Sequence, residues 1–355
     1  ERTGAAVVLA PGSTGVLPDA RPQNMHVGGS KGSISGNFVM QEADLLIAIG
    51  SYFDWDVSAM DARYTVHPVS SPEALADLPE DLRNEARAIA FKGHAPLGAA
   101  QMDLLPQLGL IANYGVGFDA IDVAAASARG IRVTNTPDVL NDDVADLAVA
   151  MLLAQSRKII EGSDWVRSGT WPQTGELPLN RKVSGRRAGI VGLGRIGREI
   201  ADRLAAFKME IHYHSRGPKD TPEGWIYHAD PVSLAAAVDD LCVALVGGAE
   251  TAGYVSKEVI HALGPDGVII NISRGSTIDE AALLDALESG AIRGAGLDVF
   301  YNEPNIDPRF LKLDNVVLQP HQGSGTVETR KAMGELQRAN LAAFFAGEAL
   351  VTPVN

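Results

Sequence analysis

Between Ala188 and Gly217 the chain reads AGIVGLGRIGREIADRLAAFKMEIHYHSRG, and no other stretch narrows the fold so far. A short apolar run, GIV, meets three glycines spaced G-x-G-x-x-G: Gly192, Gly194 and Gly197. A helical pattern, IGREIADRLAAF, opens on the last of them, and a second strand-like run, MEIHYHS, follows. Strand, glycine turn, helix and strand in this order form a βαβ unit, which demands a parallel sheet. The first glycine of such a turn permits the bend, the second lets backbone approach a pyrophosphate, and the third lets helix and strand pack closely. Amide N–H groups and the partial positive charge of the helix N-terminus then face an anion.

The alternation continues. RAGIVGLG, MEIHYHS, LCVALVG, GVIINIS, GAGLDVF and NVVLQPH read as strands; SLAAAVDD, SKEVIHALG and EAALLDALESG read as helices, the last ending at a glycine cap. Upstream, LLIAIG, YTVHPV, AIAFKG, LGLIANYG and IRVTNTP are strands separated by helical segments such as SPEALADLPEDLRNEA. The expectation is an α/β protein of two open, doubly wound domains: a Rossmann-type nucleotide-binding domain inserted into a smaller flavodoxin-like substrate domain. The boundaries read as residues 1–40 for an irregular extension, 41–137 with 319–355 for the small domain, and 138–318 for the nucleotide domain. A long pattern, DVADLAVAMLLAQSRKIIEGSDWVRSG, starts at the candidate N-caps Asn141 or Asp142. It is more apolar than one buried face requires, which predicts burial between domains or against a second subunit.

The acid that usually grips a ribose 2′-hydroxyl about 20 residues after such a turn is missing. Glu210 stands at the start of the second strand, the wrong end; the other end carries Ser215, Arg216 and, slightly later, Lys219. A carboxylate there would repel a 2′-phosphate, whereas a hydroxyl and a guanidinium attract it. These residues select NADP(H), with NAD(H) as the weaker alternative.

Composition removes other classes. The 355 residues suffice for two domains with separate cores. A net charge of −14 argues against nucleic acid as a partner and requires any anion site to be locally positive. No run approaches about 18 continuous apolar residues, so no membrane span is expected. The opening ERTGAAVVLAPGSTG is a poor export signal. The single cysteine, Cys242, sits in the apolar run LCVALVGG, which excludes an internal disulfide framework and suits a reducing compartment. A cytoplasmic location and no metal site are expected.

Three further segments place charged groups just past successive strands: Arg274 in NISRG, Glu303 in GLDVFYNEP and His321 in LQPHQGSGT. Ligands of open α/β sheets bind at the carboxyl ends of strands, so all three point into one crevice. From Ala43 to Asn355 the chain resembles the D-isomer-specific 2-hydroxyacid dehydrogenases, matching in order NYGVGFDAIDV, VTNTPDVLNDDVADLAVAMLL, VGLGRIG, NISRG, GLDVFYNEP and PHQGSGTVETR. It is most similar to their hydroxypyruvate, glyoxylate and hydroxyphenylpyruvate reductase branch. The resemblance implies Arg274, Glu303 and His321 as catalytic residues, with Arg274 and the amides of Val116 and Gly117 binding the substrate carboxylate. It implies cofactor contacts at Gly192, Gly194, Arg195, Ile196, Gly197, Ser215, Arg216, Lys219, Ile272, Ser273, Asp298 and Gly323, with Asp298 facing the nicotinamide carboxamide. It also implies a homodimer built through the long helix.

The chemistry follows. Reducing a 2-oxo acid needs a hydride at C2 and a proton at the carbonyl oxygen, and His321 suits the proton. Glu303 would orient its ring, Arg274 would hold the carboxylate and polarise the carbonyl, and domain closure would exclude water. The expected activity is NADPH-dependent reduction of small 2-oxo acids, hydroxypyruvate and glyoxylate first. Rivals are an NAD-dependent D-2-hydroxyacid dehydrogenase, a hydroxyphenylpyruvate reductase and, from another class, a nucleotide-sensing corepressor-like protein. Phe53, Trp55, Tyr114 and Phe118 line an aryl pocket or pack the small domain's core, packing being favoured; Trp171 is a candidate to reach a neighbouring subunit. The fragment HVGGSKGSISGNFVMQEADLLIAIGS resembles part of the middle domain of thiamine-diphosphate enzymes. No chemistry is assigned to it, though the run Ala43 to Gly50 can serve as the small domain's first strand.

Overall fold

The computed structural model describes residues 7–9, 24–27, 45–49 and 64–355. The chain forms two compact units, one from Glu1–Pro137 with Lys331–Asn355 and the other from Asp138–Arg330.

In the first unit, the short strands β1 (Val7–Leu9) and β2 (Asn24–Val27) pair in parallel. The main sheet contains β3 (Leu45–Ile49), β4 (Thr65–Val69), β5 (Ala88–Phe91), β6 (Leu110–Asn113) and β7 (Arg132–Thr134). All its pairs are parallel and the order is β4-β3-β5-β6-β7, the flavodoxin-like order. Both faces are covered, so β5 is buried at all positions. Ile89 and Phe91 join Ile47, Ile49, Ile111 and Val133 on one face. Ala88 and Ala90 lie on the other with Leu46, Leu110 and Ala112, under Leu341 and Phe344 of the C-terminal helix, Val327–Ala346. These small alanines admit that helix closely, as does Gly109, where a Cβ would stand 2.7 Å from the Phe344 ring. The segment SPEALADLPEDLRNEA forms a 3-10 turn (Glu73–Asp77) and α1 (Glu80–Glu85) rather than one helix. Pro79 separates them because it has no N–H for an internal helical bond. Two short helices, α2 (Ala99–Met102) and α3 (Val123–Ala128), complete the crossovers.

The second unit opens with α4 (Asn141–Arg157), α5 (Ile159–Arg167) and α6 (Trp171–Thr174). The single long helix expected from the sequence is broken at Lys158, whose backbone is left-handed (φ 48, ψ 47). The N-cap is Leu140, without a side-chain hydrogen bond, and Asn141 already lies inside the helix. Helix α4 buries most of its apolar side chains within its own unit. Ala145, Ala148, Met151 and Leu152 are buried, and α4 packs within its own unit against the helix α7 (Arg195–Ala206) and the strands β12–β14 defined below. Beyond the break, Ile159, Ile160, Val166, Trp171 and Leu179 are exposed.

The sheet of this unit comprises β8 (Arg187–Val191), β9 (Glu210–His214), β10 (Ile226–His228), β11 (Asp240–Val243), β12 (Val268–Asn271), β13 (Gly294–Leu297) and β14 (Val316–Leu318). It is parallel throughout, in the order β10-β9-β8-β11-β12-β13-β14. Helices α8 (Pro231–Ala237), α9 (Lys257–Leu263) and α10 (Glu280–Ser289) link its strands. Helix α10 ends at Gly290 in the left-handed region, as a glycine cap does. Cys242 is a buried strand residue of β11, and burial pushes its thiol pKa well up. Its role is packing. No described helix is long and apolar enough to cross a membrane.

Candidate active site

The glycine turn joins β8 to α7. Gly192 has φ +96, and a Cβ there would stand 2.7 Å from the Ala244 carbonyl oxygen. A Cβ at Gly197 would collide with the Gly192 carbonyl, whereas one at Gly194 would meet nothing within 4 Å. The first and third glycines are therefore demanded by the protein itself, and the second leaves open space at the N-terminus of a 12-residue helix. Backbone amides at a helix N-terminus can donate to an anion approaching through that space. Arg195 is turned to an ion pair with Asp138 (3.0 Å), and Ile196 is half-buried.

Beyond β9, Arg216 and Lys219 are exposed. The Ser215 hydroxyl donates to the Gly217 carbonyl at 2.6 Å, so it must turn to serve a ligand. Glu210, at the far end of the strand, accepts from His212 at 2.8 Å.

Three neighbouring strands then deliver the charged groups. After β12, the Asn271 side chain donates to the Arg274 carbonyl (3.0 Å) and accepts from the Ser273 amide and hydroxyl (3.0 and 2.8 Å). Ile272 and Ser273 are buried. The Arg274 guanidinium donates to the Ser273 carbonyl at 2.8 Å. Gly275 lies so close to the segment after β13 that a Cβ would collide with the Phe300 carbonyl carbon. On that segment, one Glu303 carboxylate oxygen accepts from the Phe300 amide (2.8 Å) and the other meets His321 Nδ1 (2.7 Å). Both side chains are part-exposed, His321 at 31% and Glu303 at 20%.

His321 follows β14 with φ +54, an uncommon backbone for a non-glycine residue. Asp298 holds this turn. Its carbonyl accepts from the His321 amide (2.9 Å), and its two carboxylate oxygens accept from the amides of Gln322 (2.6 Å) and Gly323 (2.8 Å). Asp298 is 1% exposed, and that burial raises its pKa against the lowering effect of the two amides and His321. The family resemblance implies Asp298 and Gly323 as cofactor residues; that they bind each other has no signal in the sequence, because the contact spans 25 residues.

In the first unit, Asn113 donates to the carbonyls of Gly115 (3.1 Å) and Gly117 (2.9 Å), and Asn135 donates to that of Val116 (2.9 Å). With the carbonyls so engaged, the amides of Val116 and Gly117 have no acceptor among the described residues. Tyr114 is buried and Phe118 packs on the core of this unit, as the packing reading expected. Phe53 and Trp55 lie outside the described residues.

A seven-stranded parallel sheet whose glycine turn opens a helix, with clear space at Gly194, is the architecture of an open α/β nucleotide-binding fold. The model of the D-isomer specific 2-hydroxyacid dehydrogenase NAD binding domain matches residues 149–323. Hydroxyphenylpyruvate reductase of Plectranthus scutellarioides is 47% identical over 268 residues, covering 76% of this chain and 85% of the relative. A glyoxylate/hydroxypyruvate reductase A of Arabidopsis thaliana is 46% identical, covering 80% and 90%. Among solved structures, the NADPH-dependent glyoxylate/hydroxypyruvate reductase of Sinorhizobium meliloti, in complex with NADP and malonate, is similar with a TM-score of 0.83. It is 42% identical, and the match covers 88% of this chain and 97% of that one. The chain belongs to the D-isomer-specific 2-hydroxyacid dehydrogenase family. A second family model, the thiamine pyrophosphate enzyme central domain, matches residues 1–96. Strand β3, inside that match, pairs with β4 and β5 of the small unit's sheet.

Proposed function

We propose that the protein is an NADPH-dependent reductase that converts small 2-oxo acids, hydroxypyruvate and glyoxylate first, to D-2-hydroxy acids. The observation that carries this is the His321–Glu303 pair, 2.7 Å apart, with Arg274 delivered by the neighbouring strand of a nucleotide-binding sheet. The relatives named above, reductases of such acids, support the substrate class.

Gly192, Gly194 and Gly197 with Arg195 and Ile196 would hold the pyrophosphate side of the dinucleotide, Ser215, Arg216 and Lys219 its 2′-phosphate. Ile272, Ser273, Asp298 and Gly323 would flank the nicotinamide side. Hydride for C2 of the substrate is the chemistry that a bound nicotinamide supplies. Arg274 holds the substrate carboxylate and draws charge from the carbonyl oxygen. His321 gives its proton to the carbonyl oxygen from Nε2, the ring nitrogen opposite the one Glu303 holds. Glu303, itself held by the Phe300 amide, keeps that ring in one orientation and one tautomer.

Initial rates of hydroxypyruvate reduction with NADPH and with NADH test the cofactor; a higher kcat/KM with NADPH is expected, and preference for NADH would overturn it. His321→Gln should lower kcat by roughly 100-fold or more while NADPH binding, read by its fluorescence, is kept. Near-normal turnover in that variant would remove His321 as proton donor. A second reading, reduction of an aryl 2-oxo acid, is favoured by the Plectranthus relative. Rates with hydroxyphenylpyruvate decide between the two.

A homodimer is proposed as well, through α5, α6 and the segment after them rather than through α4. Ile159, Ile160, Val166, Trp171 and Leu179 are more than half exposed there, and Trp165 ties α5 to Gly175 of that segment (3.0 Å). Exposed apolar groups gathered on one segment mark an association surface. Light scattering should give twice the chain mass at micromolar concentration, and a monomer would refute the dimer. A cytoplasmic placement is proposed too, because a chain with one cysteine has no internal disulfide and suits a reducing compartment.

A further inference from the structure

The loop from Ser215 to Trp225, between β9 and β10, carries the two cations assigned above to a 2′-phosphate. Neither Arg216 nor Lys219 has an ion-pair partner among the described residues, although the chain holds 44 acidic side chains against 30 basic ones. The nearby arginines of α7 are all engaged: Arg195 with Asp138, Arg198 with Asp202, and Arg203 with Asp142, Asp146 and Glu199. Without an ion pair to fix either cation, the backbone of this loop is held by other means.

The holding groups are in the sheet beneath. Tyr213, the penultimate residue of β9, is 2% exposed. Its phenol oxygen accepts from the Lys219 amide at 3.0 Å and donates to the Lys219 carbonyl at 3.4 Å, so one side chain engages both polar groups of that peptide position. Tyr227 of β10 stands in register with Tyr213, their rings 5.5 Å apart, and its hydroxyl reaches the Ser215 carbonyl at 3.5 Å. On the far side, Arg198 donates to the Asp220 carbonyl (3.0 Å) and lies over the Trp225 ring (4.8 Å). The Tyr213 phenol is thus the contact made at the very residue that bears the second cation.

We propose that Tyr213 is a specificity-determining positioning residue, its buried phenol holding the Arg216–Lys219 segment in the conformation that receives the 2′-phosphate of NADP(H). The inference rests on the cofactor reading above. A loop ordered before binding loses less conformational entropy when the phosphate arrives, so the contact strengthens the ligand that has the phosphate and leaves the other alone. The Tyr213→Phe substitution keeps the ring's packing and removes only the hydroxyl, and the freed Lys219 peptide, being exposed, can be hydrated.

The test is calorimetric titration of the whole protein with adenosine 2′,5′-bisphosphate and with AMP, beside fluorescence titration with NADPH and NADH, for the wild type, Tyr213→Phe and Arg216→Ala. The wild type should prefer the 2′-phosphorylated member of each pair, and Arg216→Ala should lose most of that preference. Tyr213→Phe should weaken the phosphorylated member by about fivefold, the share of one or two hydrogen bonds, with AMP and NADH unchanged. Equal weakening of both members would show a merely structural tyrosine and overturn the proposal, as would no change. A wild type without the preference overturns the cofactor reading, and Tyr213 with it, before any variant is compared.

Discussion

At the scale of single residues, the site is held by contacts that tolerate little change. Gly275 is the strictest case, because backbone from another strand end occupies the place a Cβ would take. Gly275→Ala must push the Arg274 turn and the Phe300 segment apart. We expect a loss of about 2 kcal/mol or more in stability, by analogy with overpacked cores, with kcat falling as Arg274 and Glu303 separate. Urea unfolding together with rates checks this; an unchanged midpoint would show that the two segments part easily. His321 shows the same dependence in another form, since its left-handed backbone is held by the buried carboxylate of Asp298, on the neighbouring strand's end. The residue types of the candidate site were legible in the sequence at these positions. Their supports were not, because Asp298–Gly323 and Gly275–Phe300 are contacts between segments with no periodic signal linking them.

At the scale of elements, the strands were the most legible parts, each a short apolar run closed by a turn. Helices were less so where a local backbone preference intervened. The break between α4 and α5 falls at Lys158, an ordinary residue that nothing in the pattern marks as a stop. Its left-handed conformation costs about 1 kcal/mol for a residue with a Cβ, and its ion pair with Glu161 is exposed and worth little. Lys158→Gly should therefore raise stability by roughly 0.5–1 kcal/mol. A lowered melting temperature would mean that the side chain contributes more than its geometry shows. Strand β10 went unread for a different reason: three residues at a sheet edge carry too little pattern to stand out.

At the scale of the whole molecule, burial of an acid ties stability to pH. Asp240, fully buried at the start of β11, has its pKa pushed up to about 6, chiefly by burial, with Arg186 at 3.1 Å pulling it back. A carboxyl raised in the folded state binds more protons there than when unfolded. Its contribution to stability is therefore greatest below the unfolded pKa of 3.8 and is lost as pH rises through about 6. The loss amounts to about 3 kcal/mol at most, since a tenfold change in proton affinity is worth about 1.4 kcal/mol. Asp103, Asp239 and Glu288, whose carboxyls arginines hold below the usual range, act oppositely and only at lower pH. Between pH 7 and 5, wild type should thus gain stability relative to Asp240→Asn. A difference between the two that stays flat over that window would remove Asp240 as its source.

The sequence by itself determined the α/β class, the parallel strands, the glycine turn and the residue types of the candidate site, because these follow from local spacing: period, turn chemistry and what a strand end can carry. Tertiary structure decided the rest. It decided that α4 buries its apolar excess at home and that the exposed apolar groups lie on α5 and beyond. Likewise it set Glu303 against His321 with Asp298 beneath their turn, and a buried phenol under Lys219. Each of these joins residues distant in the chain or turned toward each other by a loop, and only the order in which strands pair in the sheet brings such residues within reach of a hydrogen bond.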